Sequence, residues 1–324
     1  MASDQSDSLE WAKPRLPISS SLEISRSISN QIQKADFLAP SPGLCLLTSF
    51  VRTTASRNVK DLDLFNFSTA FLAEHQSNFL GEGATYRVTK GTPSNYSGLR
   101  DKWKAVAIKT AKVSIPRALA DLAIDDEHCH RLRSILFEVE ILSHPSIRQH
   151  PNIATLLAYS WGSLSGGFVP SLVMELATLG NARSFLSLQV LSDEQKLRVC
   201  SDVASGLQFL HACKIVHGDV KLDNVLVYEE EVTGFVVKIA DFDRSPQSTE
   251  HNSYTGTRFY NAPEVQRQIG GSGKTLASSE LWLCDVFAFG LLTLEVFAAV
   301  RFYGDLPGGD RLISRINLGS QSGT

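Results

Sequence analysis

The run His217-Gly218-Asp219-Val220-Lys221-Leu222-Asp223-Asn224 sets an acid, a base and an amide within one short stretch. These groups suit phosphoryl transfer, which relies on positioning and on stabilisation of charge. A carboxylate at Asp219 can accept the proton of an attacking hydroxyl. The Lys221 ammonium can offset charge on the transferring phosphate, and the amide oxygen of Asn224 can hold Mg²⁺. Downstream, Ile239-Ala240-Asp241-Phe242-Asp243 supplies a second hard oxygen ligand, Asp241, at an expected strand end.

Two upstream features add to this set. Gly81-Glu82-Gly83 lies between strand-like segments, where two glycines let a hairpin backbone approach phosphate oxygens. Alone, such a pair marks only a turn. Val106-Ala107-Ile108-Lys109 reads as a strand closing on a lysine. Either that lysine reaches water, or its buried charge needs a partner, for which Glu138 on the following helix is the obvious candidate.

The elements that must position these residues change character along the chain. Strands are expected at residues 79–80, 86–88 and 105–109, with a turn-rich loop over 91–95. A helix is expected from about residue 125, with Leu132, Ile135, Leu136, Val139 and Leu142 at helical spacing. A strand pair follows over 153–161 and 168–176, divided at Gly166-Gly167. Ser192-Asp193-Glu194-Gln195 then opens a helix with Leu197, Cys200, Val203, Leu207 and Leu210 on one face. Short strands over 225–228 and 236–239 precede a long apolar helix from 281 to 302. A β-rich part followed by a helical part predicts an α+β chain of two lobes with a cleft between them.

In this order the motifs resemble the eukaryotic protein kinases: glycine loop, VAIK strand, catalytic loop, DFG-like turn, and Ala262-Pro263-Glu264 as the APE segment. The resemblance covers residues 78–302. It implies a protein kinase-like fold and the cofactors ATP and Mg²⁺. Lys109 would hold the α- and β-phosphates and pair with Glu138. Asp219 would be the catalytic base, Lys221 would contact the γ-phosphate, and Asn224 and Asp241 would bind Mg²⁺. Leu80, Gly81, Gly83, Val88 and Ala107 would enclose the nucleotide. Met174 would be the gatekeeper, with backbone groups of Glu175 and Ala177 on the adenine. Asp285 resembles the buried aspartate that steadies the catalytic loop, and Leu142, His217 and Phe242 match members of a stacked hydrophobic spine. Lys221 and Thr257 match the serine/threonine-type pattern, so the implied partner is a protein carrying a Ser or Thr acceptor.

The chain also departs from that pattern. Tyr86 replaces the third loop glycine and is expected to cap the phosphates. Gly218 stands where an arginine usually pairs with a phosphate on the activation loop, so the hydroxyls of Ser248, Thr249, Ser253, Tyr254 and Thr255 lose their usual reader. Asp243 replaces a glycine that permits backbone flips, and adds negative charge beside the metal site. Only a short tail follows the helix at 281–302, so the large lobe reads as incomplete. Glu264 then lacks its usual arginine, for which Arg301 or Arg311 is the substitute, and the helix at 281–302 presents an apolar face for a covering partner. The domain reading is an N-terminal extension with a short packed helix (1–75), a small lobe (76–176), a partial large lobe (177–302) and a tail (303–324). Besides an active Ser/Thr-type enzyme, two readings stay open: a catalytically weak ATP-binding scaffold, and a truncated product that needs a partner.

Composition narrows the classes. The chain has 324 residues, 43% hydrophobic and 20% charged, as in a soluble globular protein, and its net charge of −3 gives no case for nucleic-acid binding. Its five cysteines are odd in number and lack a CxxC pair, which predicts reduced thiols in the cytoplasm or nucleus. Residues 281–302 have the length of a membrane span, but Asp285 and Glu295 inside them favour a core helix.

Overall fold

The structure, a computed structural model, describes residues 78–92, 103–113, 115–116, 126–164, 167–246, 254, 256–269, 276–277 and 280–298. The expected N-terminal extension, the tail at 303–324, and both Arg301 and Arg311 lie outside this set.

The first part forms an antiparallel sheet from β1 (Phe79–Glu82), β2 (Tyr86–Gly91), β3 (Val106–Ala111), β4 (Ile115–Pro116), β5 (Leu156–Leu164) and β6 (Gly167–Glu175). Its order is β1-β2-β3-β6-β4, with β5 also on β6. Strand alternation explains β3. Val106 and Ile108 enter the core, while Ala107 and Lys109 take the opposite face. The ladder sets Lys109 between Val88 of β2 and Leu172 of β6.

Helix α1 (Asp126–Ser143) packs beside this sheet and buries the five apolar residues expected of it. Burial is wider than one stripe: residues 134–143 are all buried, including Glu138 and Glu140. A short helix, α2 (Pro145–Arg148), follows. Strand β5 begins three residues later than expected. Ile153 instead bridges Ile239 in parallel, and the Ala154 N–H donates to the Ile239 carbonyl at 2.9 Å. That crossing stitches the sheet to the second part of the chain.

The second part holds α3 (Ala182–Leu188), α4 (Asp193–Ala212), a 3₁₀ turn (Leu222–Asn224), the hairpin β7 (Val225–Glu230) and β8 (Gly234–Ile239), α5 (Pro263–Ile269) and α6 (Leu281–Ala298). Helix α4 starts with the expected capping box. Ser192 Oγ accepts from the Gln195 N–H, and Gln195 Oε1 accepts from the Ser192 N–H at 3.0 Å. Its buried face runs through Val199, Cys200, Val203, Gly206, Leu207 and Leu210. Leu197 does not join that face and is 59% exposed. It lies in the opening turns of the helix, and the apolar stripe sets in only at Val199.

Helix α6 is long and apolar enough to cross a membrane. Its two carboxylates, Asp285 and Glu295, are nevertheless buried against protein groups. Trp282, Leu283, Val286, Leu294 and Phe297 on the same helix are exposed.

Candidate functional site

The sheet and the helical part enclose a cleft of about 770 Å³, within the size range of small-molecule sites. Leu80, Gly81, Gly83, Val88, Ala107, Lys109, Met174, Glu175, Ala177, Asp219, Lys221, Asn224 and Asp241 all line it. Glu138 does not, but it reaches the cleft through Lys109.

Strand β3 delivers Lys109 to the cleft floor, where its Nζ donates to Glu138 Oε1 at 2.6 Å and to Asp241 Oδ1 at 2.9 Å. Burial alone would lower the Lys109 pKa, but Asp241 and Glu138 more than reverse this and hold it above its ordinary value. Burial, reinforced by Asp241, pushes the Glu138 carboxyl up against the opposing pull of Lys109. Burial also acts to raise Asp241, but the charge and hydrogen bond of Lys109 leave it below the usual carboxylate value. Tyr86, expected to cap the phosphates, lines the cleft. It is turned inward, 3% exposed, with Lys109 Nζ 4.3 Å from its ring centroid.

The catalytic-loop residues sit between α4 and β7. Asp219 accepts on Oδ2 from Lys221 Nζ at 2.6 Å and from Asn224 Nδ2 at 3.0 Å. On Oδ1 it accepts from the Thr257 hydroxyl at 2.7 Å. A carboxylate offers about four lone-pair sites, so Oδ1 keeps room for one more hydrogen. Lys221 Nζ also donates to Thr257 Oγ1 at 2.8 Å.

This loop is held from behind. Asp285 accepts from the backbone N–H groups of His217 at 2.7 Å and Gly218 at 2.9 Å. It also accepts from His211 Nε2 and from the Tyr254 hydroxyl at 3.1 Å. Tyr254 is therefore buried and committed rather than an available hydroxyl. Ser248, Thr249, Ser253 and Thr255 lie outside the described residues. His217 Nε2 pairs with the Ala240 carbonyl at 3.1 Å, while its Nδ1 faces the Asp219 N–H at 3.2 Å. That assigns the ring proton to Nε2. The ring packs on Phe242 at 5.0 Å between centroids, and Leu142, His217 and Phe242 are all buried in one core.

The oxygen set suits Mg²⁺ better than a transition metal. Asn224 Nδ2 is spent on the Asp219 backbone carbonyl and carboxylate, which leaves its Oδ1 as the free acceptor. The Ala240 N–H donates to the Asn224 carbonyl at 2.9 Å, so the residue before Asp241 is tied to Asn224. Among the described residues no three His, Cys, Asp or Glu cluster to hold a metal. Mg²⁺ commonly takes one or two protein oxygens and completes its shell with phosphates and water. Asp241 has φ +72, a conformation that non-glycine residues rarely adopt and that often marks functional positions.

At the hinge, the Glu175 side chain is already engaged. It accepts from Lys238 Nζ at 2.7 Å and from the Thr155 N–H at 2.8 Å, and the Glu175 N–H donates to the Thr155 carbonyl at 3.2 Å, so the side chain and the N–H are both engaged. Sequence reasoning missed the contacts made by three further residues. Thr85, in the turn after β1, donates to Asp243 Oδ2 at 2.7 Å. Arg244 Nη1 donates to the Gly256 carbonyl at 2.7 Å. Arg183 joins Asp223 at 2.9 Å, the Tyr260 hydroxyl at 2.9 Å and Glu295 at 3.5 Å. Of these residues, Asp243, Asp223 and Glu295 stand out in the sequence, through the DFG-like turn, the run at 217–224 and the apolar helix, but none of them with its partner.

Residues 75–311 match the model of the protein kinase domain. A receptor-like cytosolic serine/threonine-protein kinase of Arabidopsis thaliana is 31% identical over 245 residues, 72% of this chain and 46% of that protein. A probable serine/threonine-protein kinase of Dictyostelium discoideum is 37% identical over 146 residues, 42% of this chain and 10% of that protein. A second from the same organism is 25% identical over 268 residues, 80% of this chain and 17% of that protein. The chain thus spans half or less of these curated relatives. With the family model covering most of its length, the chain belongs to the protein kinase domain family.

Proposed function

We propose that the chain transfers the γ-phosphoryl group of ATP to serine or threonine hydroxyls of protein substrates. The observation that carries this reading is the set of donors around Asp219, which leaves one acceptor position on Oδ1 in the same cleft as Lys109 and Asp241. ATP with Mg²⁺ supplies the phosphoryl group and offsets the charge of its own phosphates. Lys109, braced by Glu138, would bind the α- and β-phosphates, and Asn224 Oδ1 and Asp241 would hold Mg²⁺. Lys221 would neutralise the transferring group while keeping Asp219 in place. Asp219 would take the hydroxyl proton as that oxygen attacks. Ala107, Met174 and the backbone of Glu175 and Ala177 would receive the adenine.

The Ser/Thr preference is supported by Lys221 and by Thr257, which bonds to both Lys221 and Asp219. The names of the matched relatives agree. Cytosolic placement is supported by the free, buried Cys200, Cys213 and Cys284. The test is phosphate transfer from labelled Mg-ATP to a mixed Ser/Thr/Tyr protein acceptor, followed by phosphoamino-acid analysis. Label on serine and threonine is expected; label confined to tyrosine contradicts the reading.

A further inference from the structure

Gly218 occupies the place where the family's pattern has an arginine, and its surroundings give a physical reason. Its φ is +83, and a Cβ there would lie 2.4 Å from the Arg244 carbonyl oxygen and 3.0 Å from the Arg244 carbonyl carbon. Only glycine accepts both that conformation and that approach. The chain after Asp243 therefore runs directly against the catalytic loop. Ser245 fastens it there, its hydroxyl donating to the His217 carbonyl at 2.9 Å.

This approach brings in the Arg244 side chain. Its Nη1 donates to the Gly256 carbonyl at 2.7 Å, and its Nε lies 3.8 Å from Asp219 Oδ2. Gly256 immediately precedes Thr257, whose hydroxyl bonds to Asp219 Oδ1. One guanidinium thus spans the catalytic carboxylate and the segment that supplies a donor to it. A planar fork with five N–H donors suits such a bridge.

We propose that Arg244 is the positioning residue that fixes the segment around Gly256-Thr257 against Asp219, in place of an arginine after His217 reading a loop phosphate. This rests on the kinase reading above. The acceptor here is a backbone carbonyl, which is always present, whereas a phosphate must first be added. The arrangement therefore needs no modification of the segment. Arg244 acts on turnover through Thr257 and Asp219. Gly218 and Arg244 form one device: a side chain at 218 would displace the backbone that carries the guanidinium.

The test uses the full chain, treated with phosphatase, as wild type, Arg244→Ala, Arg244→Lys and Gly218→Ala. The treated wild type is expected to keep its rate within about twofold. Arg244→Ala is expected to lose kcat by about tenfold, the effect of one charge-assisted hydrogen bond, with KM for ATP changed less than about twofold on the same scale. Arg244→Lys keeps the charge and recovers part of the loss. Gly218→Ala behaves like Arg244→Ala. Protease cleavage within residues 254–260 is expected to quicken in Arg244→Ala and in Gly218→Ala. Loss of turnover on phosphatase treatment, or an unchanged kcat in Arg244→Ala, overturns the proposal. If the wild type transfers no phosphate, the kinase reading fails on its own and proteolysis decides the tether: faster cleavage in Arg244→Ala supports it, and equal cleavage overturns it.

Discussion

Thr257 donates its hydroxyl to Asp219 Oδ1 at 2.7 Å across 38 positions of sequence. It closes a triangle with Lys221, which contacts both residues. The carboxylate that would accept a substrate proton is thereby oriented from two segments at once. Thr257→Ala removes one donor and is expected to lower kcat roughly 10- to 100-fold, the value of a hydrogen bond to a charged group. Thr257→Ser keeps the hydroxyl and should retain most of the rate. Steady-state kinetics on the pair checks this; equal losses in both variants would show that the hydroxyl is not what matters.

The Lys109–Glu138 pair is buried, with the Glu138 side chain fully enclosed. Removing one partner leaves a charge in a poor solvent, at a cost of about 3–5 kcal/mol. Glu138→Gln should lower the thermal midpoint and raise KM for ATP, because Lys109 is left leaning on Asp241 alone. Glu138→Asp, with a shorter reach, should fall between. Thermal denaturation with and without Mg-ATP measures both effects.

Asp243 carries a pH prediction. Burial and the neighbouring Asp241 raise its carboxyl above the ordinary value, while Thr85 pulls the other way. A raised folded-state value means the site favours the neutral acid. Stability from this residue is full below the ordinary carboxylate range and is lost as pH rises through the raised value. Asp243→Asn keeps an acceptor for Thr85 and sheds the charge. It should melt higher than wild type at pH 8, and the gap should close as pH falls towards 4. A gap that is constant with pH would argue that the charge is not penalised.

Arg183 joins three elements: Asp223 of the catalytic loop, Tyr260 ahead of α5, and Glu295 of α6. A lysine cannot present that fork. Arg183→Lys is therefore expected to destabilise the chain by about 1–3 kcal/mol. It should also reduce kcat/KM for protein substrate more than it changes KM for ATP, since its partners Asp223 and Tyr260 line the cleft. Chemical denaturation and kinetics with both substrates separate the two.

Short-range patterns in the sequence anticipated these sites unevenly. Lys109, Asp219, Lys221, Asn224 and Asp241 stand in compact motifs, so residue type and spacing revealed them. Glu138 was found because a lysine at a strand end demands a partner. Thr85 and Asp243 are 158 positions apart, and nothing local marks either as the other's partner. Arg244 lacks any motif of its own; its role depends on how closely its backbone passes Gly218. Leu197 shows the converse error. Its spacing fits the apolar stripe of α4, but the position is exposed, because periodicity identifies a stripe without saying where along the helix its cover begins. Ile153 likewise reads as strand, yet it spends its pairing on a single bridge to Ile239.

The most direct test of the phosphoryl-transfer account compares wild type with Asp219→Asn for transfer from labelled Mg-ATP, with ATP binding measured on the same samples. Asparagine keeps the size of the side chain and cannot take the proton. The account predicts that transfer falls at least about 100-fold, while the ATP-induced thermal shift remains. Equal transfer by the two proteins would contradict it.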